Sequence, residues 1–348
     1  MKLFAKSALV AGALALAVGA LAVGALAVGT AHAADYTMKI SMSHGPYKDH
    51  YEHTPLLQFQ KEVNEKSGGR IDVKIYWNFA LGKNEKVINM VRNGQVEGII
   101  TSESHAAPYW HNVEVLSIPY LFINRKVAYR VFDGPFGKEL ADRMAKESGI
   151  RPLVWLENGG YRNFTANKPL RTVADMKGLK IRTMTNPVHM QIVRSLGASP
   201  TPISWADLYT ALQTGVVDGE ENSLPTFRIP KLEEVQKYVI MDGHIYSVLA
   251  FFVSEKWYKS LPADLRKIVD TAAQRMVPLN RKLSIENEKR DRAYLESKGV
   301  HIFDPTPATK KKFRELTQGP AIEMIKKNVD PKLLNDLLKA VKDAEAKS

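Results

Sequence analysis

The stretch from Gly178 to Asn222 reads as a strand, a helix, a strand, a second helix and a short third strand. Such alternation excludes an all-helical or all-β chain and calls for a mostly parallel sheet with helices packed on it. Leu179 and Ile181 alternate with Lys180 and Arg182, so the first strand ends in a cation directed at the next loop. Asn186 stands at an N-cap position, Pro187 begins the helix and Gly197 follows its end. A helix start of this kind offers free N–H groups to an anion, and an arginine beside it can grip both oxygens of a carboxylate. Ser204, with Asp207 behind it, starts the second helix in the same way, which brings Trp205 near that rim. The third strand runs through Asp218-Gly219-Glu220-Glu221-Asn222, where alternation lets only one of the two glutamates share a direction with Asn222.

The alternation extends upstream. Tyr36 to Met42 reads as a strand, followed by a helix capped by Thr54 and stopped at Gly68-Gly69. Strands at Arg70 to Tyr76 and Val96 to Thr101 flank a helix carrying Val87, Ile88 and Val91. The pattern restarts at Ile150, with strands Pro152 to Glu157 and Tyr161 to Ala166 separated by a turn at Asn158-Gly159-Gly160. Val248 to Ser254 is a further strand that either half could claim. Leu261 to Lys298 keeps helical spacing for about 50 Å, more than a small domain is wide, and Pro278 should bend it. Such a helix is expected to lie across two lobes. Two amphipathic helices between Thr309 and Lys342 are expected to pack on the surface.

Residues 1–33 read as a secretory signal: Lys2 and Lys6, an apolar run, then Ala31-His32-Ala33 as the cleavage site. The length of that run leaves an uncleaved anchor as the alternative. The formal charge of +12 includes those two lysines and no acid before residue 34, so the exported chain carries +10. Its basic residues are scattered among acids, and Lys310-Lys311-Lys312 has no interleaved aromatics. Export and this pattern argue against nucleic acid and favour attraction of small anions. The absence of cysteine excludes disulfides, thiolate nucleophiles and thiolate metal sites. No GxSxG, HExxH, GxxxxGK[ST] or GxGxxG occurs, so nothing nominates a nucleophile, a cofactor or a metal. His50 and His53 flank Glu52 without a zinc motif around them and read as solvated side chains.

The strings ADMKGLKIR, LGASPTPISWADLYTALQTGVVDGEEN and KEVNEKSGGRIDVKIY resemble the substrate-binding proteins of tripartite ATP-independent periplasmic (TRAP) transporters. The resemblance covers the whole chain after the signal. It implies an α/β, two-lobe periplasmic-binding-protein fold of type II-like form, with a long helix spanning both lobes. Lobe I would comprise 34–158 and 248–287, and lobe II 159–247 and 288–348. A periplasmic monomer is implied, which closes over a carboxylate and delivers it to a permease driven by an ion gradient. Carried over residue by residue, the resemblance assigns Arg182 to the carboxylate clamp. Arg162 and Asn222 become its partners, Trp205 an aromatic wall, and Glu103 the acid of the facing lobe. Phe79, Ser43 and His44 fall at the opposite rim. Ala106 and Asn84 replace the arginine and acid of sialic-acid binders. With Trp205, Phe79, Tyr161 and Trp77, they point to a smaller or flatter, partly apolar carboxylate. The alternatives are a binding protein of an ATP-driven importer, an organic-acid sensor and an exported enzyme.

Overall fold

The computed structural model describes residues 34–347, so the expected signal segment lies outside the described residues. Strand β1 (Tyr36–Ser41) is followed by α1 (His53–Lys66), β2 (Ile71–Tyr76), α2 (Asn84–Arg92) and β3 (Gly98–Ser102). β1 pairs in parallel with β2 and β3, as the alternation requires. Thr54 does not cap α1. It lies inside the first turn and donates its N–H to His50 O at 3.1 Å, which starts the helix at His53.

Two 3-10 turns (Glu103–Ala106 and His111–Ser117) and helices α3 (Arg125–Asp133) and α4 (Pro135–Ser148) follow, in a region the sequence pattern left blank. Then come β4 (Ile150–Ala166), β5 (Lys180–Thr183), α5 (Pro187–Ser195), β6 (Ser199–Pro202), α6 (Leu208–Gln213), β7 (Glu221–Asn222) and α7 (Leu224–Arg228). The chain ends with β8 (Tyr238–Ser254), α8 (Glu255–Ser260), α9 (Ala263–Ser297), β9 (His301–Phe303), α10 (Pro307–Asn328) and α11 (Pro331–Glu345).

The main sheet has the order β2-β1-β3-β8-β4-β7, with β9 beside β8. It is mixed rather than mostly parallel, because β8 runs antiparallel to both β3 and β4. β4 and β8 are each 17 residues long and pair through most of their length. Asn158-Gly159-Gly160 is accordingly not a turn between two strands. β4 passes through it with a bulge, the partner of Glu157 being Val248 and that of Tyr161 being Tyr246. Gly160 has φ +111°, and a Cβ there would stand 2.5 Å from Arg125 Nη2, so the glycines serve a bulge and a close approach.

Among the described residues, the buried apolar side chains form three clusters. One packs β1, α1 and β2 against Leu265 to Leu283 of α9, whereas Leu295 of α9 belongs to another with α6 and α7. The 35-residue α9, with Pro278 inside it, therefore serves two cores. Its Asn280 accepts Glu157 N–H at 2.8 Å and donates to Tyr51 O at 2.9 Å, pinning the β4 bulge to the loop before α1. The two last helices are no surface addition. Phe313 and Ile325 of α10 and Leu333 and Leu337 of α11 are fully buried in the largest cluster. Arg143 of α4 pairs with Asp330 at 2.9 Å, so α11 is tied to a segment that the expected division placed in the other lobe.

Candidate functional site

Arg182 lies on β5, held between β6 and the segment before β7. Its N–H donates to Gly219 O at 2.8 Å. A Cβ on Gly219 would stand 1.9 Å from Thr165 O, so only glycine lets the two segments approach this closely. The Arg182 side chain is 1 % exposed. Its Nε donates to Ile203 O at 2.8 Å, and its Cζ lies 5.8 Å from the centre of the Trp205 ring. Among the described residues no carboxylate forms an ion pair with it. Burial lowers its pKa to about 10, against the pull of Glu220 and Glu221. A buried guanidinium outside any ion pair is costly for a fold to retain, and it favours an anion that can reach it.

Arg162, also buried, is the opposite case. Its Nη2 donates to Glu221 Oε1 at 2.8 Å and its Nη1 to Ser247 Oγ at 3.3 Å. Glu221 meets His189 Nδ1 at 3.4 Å and His244 Nε2 at 3.3 Å, and His244 Nδ1 meets Asp242 at 2.8 Å. Burial pushes Glu221 up, but Arg162 and His189 hold its pKa well below the carboxylate range. Burial likewise pulls His244 down, and Asp242 and Glu221 outweigh it to place its pKa at about 9. Glu220 takes the other direction and accepts from Asn222 Nδ2 at 2.5 Å, so it is the glutamate that shares Asn222's side. Burial, and then repulsion from Glu221, raises Glu220 to about 7.

Arg182, Arg162, Asn222, Trp205, Ser43, His44 and Asn84 line one cavity of about 50 Å³. Ser43 Oγ donates to Asn84 Oδ1 at 2.9 Å on its far side. Asn186 caps α5 as the sequence implies, accepting from Val188 N and His189 N. Ser204 does not cap a long helix. It precedes a 3-10 turn, and its Oγ instead donates to Glu85 Oε2 at 3.0 Å.

Three expected residues are not on this wall. Glu103 is buried with its carboxylate taken by Ser102 Oγ at 2.8 Å and Ser104 Oγ at 3.0 Å. Tyr161 follows from strand alternation: next to Arg162, it emerges on the other face of β4, where it lines a separate groove of about 710 Å³. Phe79, at φ +56°, is outside the cavity lining. Several wall residues went unread in the sequence, among them Glu52, His105, Asn158 and Thr226. The rule that ligands sit beyond the carboxyl ends of such strands points to the loop at Ser102, and His105 lies in the turn that follows it. Asn158 and Thr226 carried no signal, because their position depends on the β4 bulge. His50 and His53, read as solvated, are both buried.

With the geometry in place, the chain can be compared with known proteins. Residues 42–328 match the family model described as bacterial extracellular solute-binding protein, family 7. A solute-binding protein of Verminephrobacter eiseniae is 33% identical over 272 residues, covering 78% of this chain and 80% of that one. The sugar acid binding protein of Advenella mimigardefordensis, solved with galactonate, superposes with a TM-score of 0.82 at 31% identity, over 88% of this chain and 98% of that one. A TRAP periplasmic solute binding protein of Desulfovibrio salexigens, solved with orotic acid, gives a TM-score of 0.83 at 27% identity, over 90% and 99%. The two-lobe fold of these proteins is thus the fold of this chain, and the chain belongs to family 7 of the bacterial extracellular solute-binding proteins as a TRAP-type substrate-binding protein, not an enzyme.

Proposed function

We propose that the protein binds a small organic acid through Arg182 and hands it to a TRAP membrane permease. One observation carries this: Arg182 is a fully buried cation with no ion-pair partner among the described residues, and it faces a cavity. A bound carboxylate supplies the missing charge and takes the guanidinium in two parallel hydrogen bonds. Arg162, held in place by Glu221, and Asn222 hydrogen-bond the carboxylate or a neighbouring oxygen. Trp205 covers the ligand from one side. Selection of hydroxyl or keto groups falls to Ser43, Asn84, Ser102 and His105 rather than to Glu103, whose carboxylate is already satisfied. The acids named with the two superposed relatives, galactonate and orotic acid, support the ligand class. A cavity of about 50 Å³ holds only a few water-sized groups, which favours a short acid.

In this reading the lobes divide at the boundaries given above, with α10 and α11 bracing both halves and α9 joining them. The protein acts as a periplasmic monomer, alternating between an open form and a ligand-bound closed form. A thermal-shift and calorimetric screen of the chain without residues 1–33 tests the assignment. Short carboxylic acids should raise the melting temperature by mass action, and neutral sugars and amines should not. Stabilisation confined to neutral sugars or cations would sink it.

A further inference from the structure

The cavity wall opposite Arg182 carries a cluster that carboxylate capture does not use. His44 follows β1, and Glu52 and His53 lie at the start of α1. His44 and Glu52 both face the cavity. One ligand atom from each of His44, Glu52 and His53 fits within 4.8 Å of the others. His44 Nδ1 and His53 Nε2 are 3.2 Å apart. Two imidazole nitrogens on one tetrahedral zinc, each about 2.05 Å from the metal, stand about 3.3 Å apart. The spacing therefore already matches a shared ion.

Two further observations point to a ligand. Glu52 is buried and forms no ion pair among the described residues. His50 packs on His53 with ring centres 4.3 Å apart, and its Nε2 is buried with no hydrogen-bond partner among the described residues. The cluster is also fixed in place. Glu52 N donates to His50 Nδ1 at 3.2 Å, Tyr51 N to Asn287 Oδ1 of α9 at 3.2 Å, and Tyr47 and Trp77 flank the His53 ring.

We propose that His44, His53 and Glu52 bind a zinc-type divalent cation on the cavity wall, leaving a coordination position open toward the acid. Two histidines and a glutamate with one open position form a known donor set for zinc. An oxygen of the bound acid would occupy that position, so the ligand would bridge the metal and Arg182. This second half rests on the proposed carboxylate site; metal binding does not. One local change is required. Tyr47 N–H donates to His53 Nδ1 at 2.8 Å, which places the ring proton on Nε2. On coordination that proton moves to Nδ1 and the Tyr47 N–H turns away, within the loop that begins at Gly45.

The test uses residues 34–348 stripped with a chelator, then titrated with Co²⁺ and Zn²⁺ by absorption and calorimetry. One ion per chain is expected at micromolar or tighter affinity. His44→Asn and Glu52→Gln should each weaken binding by more than about 100-fold, beyond what outer-shell changes cost. His111→Asn should leave it intact. X-ray absorption of the zinc-loaded parent, which needs no variant, should show two imidazoles with oxygen ligands. Absence of stoichiometric binding, or binding indifferent to both cluster variants, overturns the proposal. Metal bound in a protein that takes no acid would remove the carboxylate reading and leave the metal site standing. Acid bound equally well with and without chelator, together with no metal uptake, would do the reverse.

Discussion

At the scale of single residues, Arg182 and Arg162 show how two arginines in similar surroundings take different roles. Arg162 is paired with Glu221, whereas Arg182 donates to a carbonyl and lies beside an aromatic ring, and it feels Glu220 and Glu221 without forming an ion pair with either. Arg182→Ala is therefore expected to act in two directions. Acid binding should weaken by about 2–5 kcal/mol, roughly 30- to several-thousand-fold by calorimetry. The ligand-free protein should become more stable by about 1–3 kcal/mol in denaturant unfolding, because an unpaired buried charge has gone. Unchanged affinity would remove Arg182 from its role. Arg182 was legible because strand alternation and the following N-cap fix where its side chain goes. The same alternation places Tyr161 on the face away from Arg162, so its absence from the wall was also legible. Glu103 was not, since its direction depends on the serines on either side of it.

Among the elements, strand–helix alternation revealed the local pieces of β1 to β3 and of β5 to β7. It hid the two longest strands. Gly159 and Gly160 look like a turn because their φ values are positive, and only pairing with β8 over 17 residues makes them a bulge. Long-range antiparallel pairing leaves little trace in a window of a dozen residues. α9 was visible by length, whereas α10 and α11 were misjudged because an amphipathic helix looks the same whether it covers a core or completes it. Gly219 links element and site, since it lets the segment before β7, to which β5 is bonded, lie against the end of β4. Gly219→Ala would put a methyl group 1.9 Å from Thr165 O. The variant is expected to lose about 2 kcal/mol or more in urea unfolding and to bind acid more weakly, because Arg182 N–H is held by Gly219 O. Parent-like stability would mean that the two segments separate freely.

For the whole molecule, the restart at Ile150 and the length of α9 signalled two lobes and the resemblance gave them their form, but the contacts that cross between the expected halves were invisible beforehand. Lys83 pairs with Asp207 at 2.5 Å and Glu85 accepts from Ser204 at 3.0 Å, joining the start of α2 to the turn that bears Trp205. The Lys83–Asp207 pair is half exposed and adds little to folding stability, about 0–1 kcal/mol. Its effect should appear in the lifetime of the closed form. Lys83→Ala with Glu85→Ala is expected to speed ligand release by about 2- to 10-fold with little change in association, read by stopped-flow fluorescence of Trp205. An equal change in both rates would mean that these contacts do not latch the lobes. The unpaired guanidinium of Arg182 has one more consequence at this scale. The closed shape is electrically incomplete on its own, so it competes for whatever small anions surround it. Acetate, formate and citrate in a purification buffer are then rivals of the natural solute, and a measured affinity reports a displacement unless those anions have been removed.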